Sequence, residues 1–226
     1  MFHDFLDLLY PRMCYGCEKA LTSNEKILCT NCLHGLPLAD HHLQTDNPVE
    51  KIFYGRIPVE NATSLLLFEK KGVTQKLIHN LKYRGHQEIG NFLGTWLGAE
   101  LKELPAWKEI TMVIPVPLHK QKLKKRGFNQ VAQFGMEIAK ALEIPYRDDV
   151  LLKISASQTQ TLKKRFARWG TFEETFILQN EKALKDAHVL LVDDLVTTGA
   201  TLEACAHKIL TVPGIKISVA TMAVTH

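Results

Sequence analysis

Residues 189–202 read VLLVDDLVTTGATL. Four apolar residues lead into two adjacent carboxylates, Asp193 and Asp194, and a turn rich in Thr, Gly and Ala follows. An unbroken apolar run reads as a strand covered on both faces, because a strand with one wet face alternates polar and apolar side chains. A parallel strand delivers its last residues to the carboxyl edge of its sheet, where open α/β folds bind ligands. The acids arrive at that edge. Leu195–Ala200 then reads as a loop that turns into a helix starting near Thr201. The amides of a helix N-terminus make an anion site, aided by the helix dipole. Gly199 lets the chain turn tightly and lets a phosphate approach the backbone; Thr197, Thr198 and Thr201 add hydroxyl donors. Buried carboxylates are costly unless something hydrogen-bonds them, and sugar hydroxyls would. The ligand that matches is a sugar phosphate with vicinal hydroxyls. The alternative is a capped helix after a strand, with the acids facing water or a metal. Neither G-x-x-x-x-G-K-[ST] nor G-x-G-x-x-G is present, so the segment is neither a P-loop nor a dinucleotide fingerprint.

Working outward, strands are expected at 63–68, 111–117, 148–154, 188–194 and 215–224. Apolar residues at helical intervals predict helices at 72–81, 88–104, 129–142 and 201–210. The stretch 81–86 reads as a break carrying Lys82, Arg84 and Gly85. Residues 41–62 read as a linker, and 155–176 are polar and basic with no strong period at their start. Strands alternating with helices imply an α/β fold with a mostly parallel sheet flanked by helices.

The chain has 226 residues, 46% of them hydrophobic, enough for one good-sized core and a small appendage. No apolar run approaches the roughly 18–20 residues that cross a bilayer. MFHDFLDLLYPRMC at the N-terminus lacks a basic n-region and carries Asp4 and Asp7 in its apolar stretch. It reads as a short amphipathic helix ending before Pro11 rather than a secretory signal. The expectation is a cytoplasmic protein, not an integral membrane one. The net charge is +4, but residues 119–168 hold twelve Lys or Arg against four Asp or Glu. Such a basic middle suits a polyanionic small molecule or nucleic acid, or is simply a solvated face.

Cys14 and Cys17 form one C-x-x-C pair, Cys29 and Cys32 a second, with eleven residues between the pairs. Each pair can wrap a tight turn that aims both thiolates at one ion, and two pairs complete a tetrahedral sulfur site for zinc. Disulfides and free thiols are the alternatives; a reducing compartment disfavours the first. Four thiolates leave no open coordination position, so the zinc would be structural. Residues 1–40 are therefore read as a zinc-binding module and 41–226 as the main domain. His34, His41 and His42 read as surface residues, and Cys205 as a small buried hydrophobe.

The stretch at 189–201 closely resembles the phosphoribosyl pyrophosphate (PRPP) motif of type I phosphoribosyltransferases. The wider chain resembles the ComF family of late competence proteins. The shared layout is a four-Cys N-terminus, LKY-x-G at Leu81–Gly85, PVPL at Pro115–Leu118, RGFNQ at Arg126–Gln130, Gln160 with Arg168 and Phe176, and the PRPP motif. The resemblance implies a type I phosphoribosyltransferase-like fold. It implies that Asp193 and Asp194 contact the ribose 2′ and 3′ hydroxyls, and that Thr197, Thr198, Gly199, Ala200 and Thr201 cradle the 5′-phosphate. VIPVP also resembles the phosphate-loop strand of glutamine amidophosphoribosyltransferases, which implies that Pro117, Leu118, His119 and the basic run to Arg126 bind pyrophosphate. A guanidinium fork suits phosphate geometry, which singles out Arg126. Residues 155–171 would be the flexible catalytic loop, with Gln160 and Arg168 as its candidate groups. The resemblance further implies Mg–PRPP as substrate, an amine or nucleobase as acceptor, and a place in nucleotide metabolism. It also implies a role in natural transformation, with single-stranded DNA, a helicase and an inner-membrane channel as partners. Purine-salvage members of the fold carry an acid where this chain has Thr197, which argues against hypoxanthine or guanine as acceptor. A non-catalytic PRPP-binding protein and a DNA-uptake adaptor remain the alternative readings. Phe128, Phe166 and Trp169 could serve the adaptor by stacking on bases.

Overall fold

The computed structural model describes residues 11–154 and 175–225. The expected N-terminal helix, and the loop candidates Gln160, Phe166, Arg168 and Trp169, lie outside the described residues. Four parallel strands form the central sheet: β1 (Ala62–Leu67), β2 (Met112–Pro115), β5 (His188–Val196) and β6 (Lys216–Val224), in the order β1-β6-β5-β2. The strand of the acid pair is thus an inner strand, paired with β6 on one side and β2 on the other. Short extended segments cover both edges of the sheet. Leu38 bridges antiparallel to Leu66, with Leu67 N–H donating to the Pro37 carbonyl at 2.8 Å. Tyr146 bridges parallel to Val113. Capped edges offer no template for pairing with another chain.

Helices lie on both sides of the sheet, which is why the apolar run before the acids does not alternate. Leu190 and Val192 join one buried cluster with helices α3 (Val73–His79), α4 (Glu88–Glu103) and α6 (Ala132–Leu142). Val189 and Leu191 join a second with α2 (Pro48–Phe53) and α7 (Ala200–Ile209). The alternation slips across the acid pair: Leu195 packs on the first cluster and Val196 belongs to the second.

The first cluster rests on an unusually close helix pair. Gly94 of α4 sits so near α6 that a Cβ there would stand 2.5 Å from the Phe134 carbonyl oxygen and 2.9 Å from its Cα. Gly90 and Gly98, one turn to either side, meet Gln133 and Ala141 in the same way. This spacing by fours lays one flat face of small residues along α4.

Several elements depart from the sequence reading. Residues 41–62 are not a bare linker: they hold α2. Its Asn47 caps the helix by accepting from the amides of Val49 and Glu50, Pro48 takes the first position, and Glu50 returns the bond to Asn47. Asn47 is also buried, and its amide donates to the carbonyls of His41, Gln44 and Ala62. His41 and His42 are not surface residues. The turn His41–Leu43 folds in beside β1, burying His41 to 5% exposure and setting His42 on Glu100 at 3.2 Å. The stretch 81–86 is not a simple break either: α3 continues as one π-helical turn, Asn80–Arg84, closed by Gly85 at φ +80. A basic helix, α5 (Lys120–Arg126), holds the run that the resemblance assigns to pyrophosphate. The strand expected at 148–154 is β3 (Leu151–Ile154). It pairs outside the main sheet, antiparallel to β4 (Thr175–Leu178).

Candidate functional site

Val116 N–H donates to the Val192 carbonyl at 2.9 Å. That bond brings the end of β2 against β5 at the residue before Asp193, so Pro117, Leu118 and His119 leave the sheet beside the acid pair. His119 then caps α5, its Nδ1 accepting from Gln121 N–H at 3.2 Å. At the far end of α5, Arg126 donates to Gln130 Oε1 at 2.7 Å and stacks over the Tyr83 ring, 5.5 Å from its centroid. Tyr83 lies on the π-helical turn next to Lys82. The LKY-x-G and RGFNQ segments, 40 residues apart, are thereby joined in space.

Lys82 reaches the acid pair directly. Its Nζ stands 2.7 Å from Asp194 Oδ1. Asp194 is 4% exposed, and its Oδ2 has no hydrogen-bond partner among the described residues. Asp194 N–H donates to Asp193 Oδ1 at 2.8 Å. Burial above all, and then the charge of Asp194, push the Asp193 carboxyl up to about 7, against the opposing pull of Asp194 N–H, Lys82 and Lys153. Two crowded carboxylates and one orphaned acceptor make a site that gains from hydrogen-bond donors, and a vicinal diol supplies two.

The phosphate-loop candidates lie between β5 and α7. Thr197 and Thr198 are exposed, Gly199 is buried at φ +74, and Ala200 and Thr201 open the helix. No side chain caps α7, so its first amides are left for another acceptor. The sequence reading placed Leu195 and Val196 in this loop, but they continue the strand because β6 pairs with both. It also missed what holds the loop. Arg56, just beyond α2, donates to the Thr198 carbonyl at 2.6 Å and to the Ile52 carbonyl at 3.0 Å, and its other nitrogen pairs with Glu203 of α7. A Cβ on Gly199 would stand 2.6 Å from Ile52 Cγ2. Lys82 sat in a motif that could have marked it; Arg56 had no such signal, because it meets the loop only through the fold.

The four cysteines converge, Cys32 from the short helix α1 (Thr30–His34). Their sulfurs lie within 4.8 Å of one another, and Cys17 and Cys29 stand 3.6 Å apart. Four thiolates around one zinc at 2.3 Å would stand about 3.8 Å apart, so the set fits that ion. Burial raises the Cys14 thiol, but amide donors from Cys29, Cys17 and Gly16 outweigh it and bring it down to about 7. Burial first, then the neighbouring thiols, push Cys32 up. The cluster packs on the helical layer rather than standing apart: Cys14 and Cys32 join the first hydrophobic cluster. Asn80, in the turn that carries Lys82, donates to the Tyr15 carbonyl between Cys14 and Cys17 at 3.1 Å.

A family model described as a phosphoribosyl transferase domain matches residues 131–224. Competence protein ComFC of Bacillus subtilis (strain 168) is 30% identical over 213 residues, covering 91% of this chain and 81% of its own. The chain belongs to the ComF family. DNA utilization protein YhgH of Escherichia coli (strain K12) is a second relative, 26% identical over 88% of this chain and 84% of its own. Among solved structures, adenine phosphoribosyltransferase from Leishmania tarentolae matches at 14% identity with a TM-score of 0.38, over 62% of this chain and 73% of that one. This ComF chain has the type I phosphoribosyltransferase-like fold, a mostly parallel sheet flanked by helices, with a four-Cys cluster near its N-terminus that can hold a metal ion. Among the described residues no helix is long and apolar enough to cross a membrane.

Proposed function

We propose that the protein binds Mg–PRPP and transfers its phosphoribosyl group to an amine or nucleobase, releasing pyrophosphate, in the cytoplasm and in support of DNA uptake. The observation that carries this reading is the acid pair at the carboxyl edge of an inner parallel strand, followed by an uncapped helix N-terminus. Asp193 and Asp194 accept from the ribose hydroxyls, and Thr197–Thr201 hold the 5′-phosphate. Pro117, Leu118, His119 and Arg126 receive the pyrophosphate. As the C1′–O bond breaks, positive charge grows on the sugar ring and negative charge on the leaving group. The chain's contribution is to hold the acceptor in line and to keep donors aimed at the leaving oxygens. Magnesium bound to the pyrophosphate would spread that negative charge. Asp194 is already met by Lys82, which fits a cation that arrives with the substrate. Gln160 and Arg168 are proposed to close over the bound ligand, and closure excludes water and strengthens each charge contact. The cysteines are proposed to hold one structural zinc. ComF relatives named for competence and DNA utilization support the link to natural transformation.

A non-catalytic adaptor for single-stranded DNA draws on one further observation. Lys120, Lys122, Lys124 and Lys125 of α5 are exposed, and no described residue pairs with them. Calorimetry of the purified, zinc-replete protein with PRPP, with and without magnesium, tests the main reading. Micromolar, magnesium-dependent binding is expected. Its absence, together with salt-sensitive binding of a single-stranded oligonucleotide, would favour the adaptor.

A further inference from the structure

The π-helical turn of α3 delivers an ammonium to the one place in the site where opposite demands meet. On one side are the carboxylates of the ribose-binding pair; Lys82 Nζ holds Asp194 Oδ1 at 2.7 Å, and the lysine side chain keeps 22% of its surface exposed. On the other is the segment expected to take pyrophosphate, whose Arg126 stacks on the very next residue, Tyr83. A polyphosphate set down beside two carboxylates is repelled unless a cation stands between them. A lysine carries three N–H donors on a flexible stem. One donor satisfies Asp194, and the exposed part of the group leaves others for a second anion.

We propose that Lys82 is a substrate-contacting residue. It bridges Asp194 and the pyrophosphate group of the ligand, so that one side chain ties the sugar half of the site to its leaving-group half. The inference rests on the PRPP reading and adds a residue to it. A π-helical turn suits the task, because the extra residue per turn re-aims a side chain without ending the helix, and such turns recur at functional sites. Asn80 anchors the same turn to the Tyr15 carbonyl, so the ammonium is presented from a fixed base.

Calorimetry with PRPP, inorganic pyrophosphate and ribose 5-phosphate on wild type and Lys82→Met tests the bridge. Loss of a charge-assisted contact should weaken PRPP and pyrophosphate by about tenfold or more, with ribose 5-phosphate held within about threefold. Lys82→Arg, which keeps the charge, should restore most of the loss. If Lys82→Met does not fold because Asp194 is left buried without its countercharge, Lys82→Gln keeps a donor for Asp194 without the charge and carries the same comparison. Equal losses for all three ligands would overturn the bridge and leave Lys82 as the partner of Asp194 alone. Failure of the wild type to bind PRPP would instead overturn the reading beneath it.

Discussion

Asp193 should weaken the folded chain in the absence of ligand. Its carboxyl is pushed up to about 7 by burial and by Asp194, whereas an unfolded Asp titrates near 3.9. Between about pH 4 and pH 7 the folded chain therefore keeps a proton that the unfolded chain has released. Stability falls as pH rises through that window and levels off above it. The full linkage is about 4 kcal/mol at pH 8 and about 1.5 kcal/mol at pH 5. Asp193 is only half-buried, and solvent screening discounts that figure, so about 2 kcal/mol is expected at pH 8. Asp193→Asn removes the charge, and its amide oxygen can still accept from Asp194 N–H. The variant should melt roughly 4–8 °C above wild type at pH 8, with the gap closing as pH drops towards 4. The same variant should bind PRPP about tenfold or more weaker, since a carboxylate acceptor for a ribose hydroxyl is lost. Thermal unfolding from pH 4 to 8, with calorimetry at pH 8, reads both effects. An equal Tm at pH 8, or a gap independent of pH, would refute the argument.

Gly94→Ala forces a methyl against the Phe134 backbone; a loss of about 1–3 kcal/mol is expected, and an unchanged denaturation midpoint would mean that the two helices part freely. Asn47→Ala removes a helix cap and strands three carbonyls at once; about 2–4 kcal/mol should be lost, and a urea midpoint that costs less than about 1 kcal/mol would count against the hub. Protein purified without chelators should carry one zinc, and Cys14→Ser should lower both the metal content and the melting temperature; less than about half an equivalent in wild type would remove the proposed site.

What could be read from the sequence was whatever expressed itself as local pattern. The strand of Val189–Val192, the acid pair and the two C-x-x-C turns each carry their chemistry within a few residues. The helix 88–103 showed through its apolar spacing. Elements without that pattern did not show. Helix α5 buries none of its residues, so it has no apolar stripe to detect. Helix α2 is a single short piece, whose one local sign is the capping signal of its Asn-Pro-x-Glu start. The burial of His41 and His42 depends on a turn that tucks beside β1, and Arg56 reaches the phosphate-loop candidates across 142 positions of sequence. Contacts at that separation leave no trace in periodicity.

The order of the strands also bears on how the chain is made. β6 follows every other strand in the sequence, yet it lies between β1 and β5. Until β6 emerges from the ribosome, β1 has only the Pro37–Ala39 segment beside it, and the pair of β5 with β2 has one open side. A nascent chain carries β1 without its partner strand for the 148 residues between Leu67 and Lys216, and then closes the sheet in one step. Slow, non-local closure of this kind favours aggregation over folding when many chains are made at once. Interruption of translation just short of Lys216 would leave two half-sheets with nothing to join them. Expression in the cell should therefore depend on chaperone supply and on growth temperature more steeply than the stability of the finished fold would suggest.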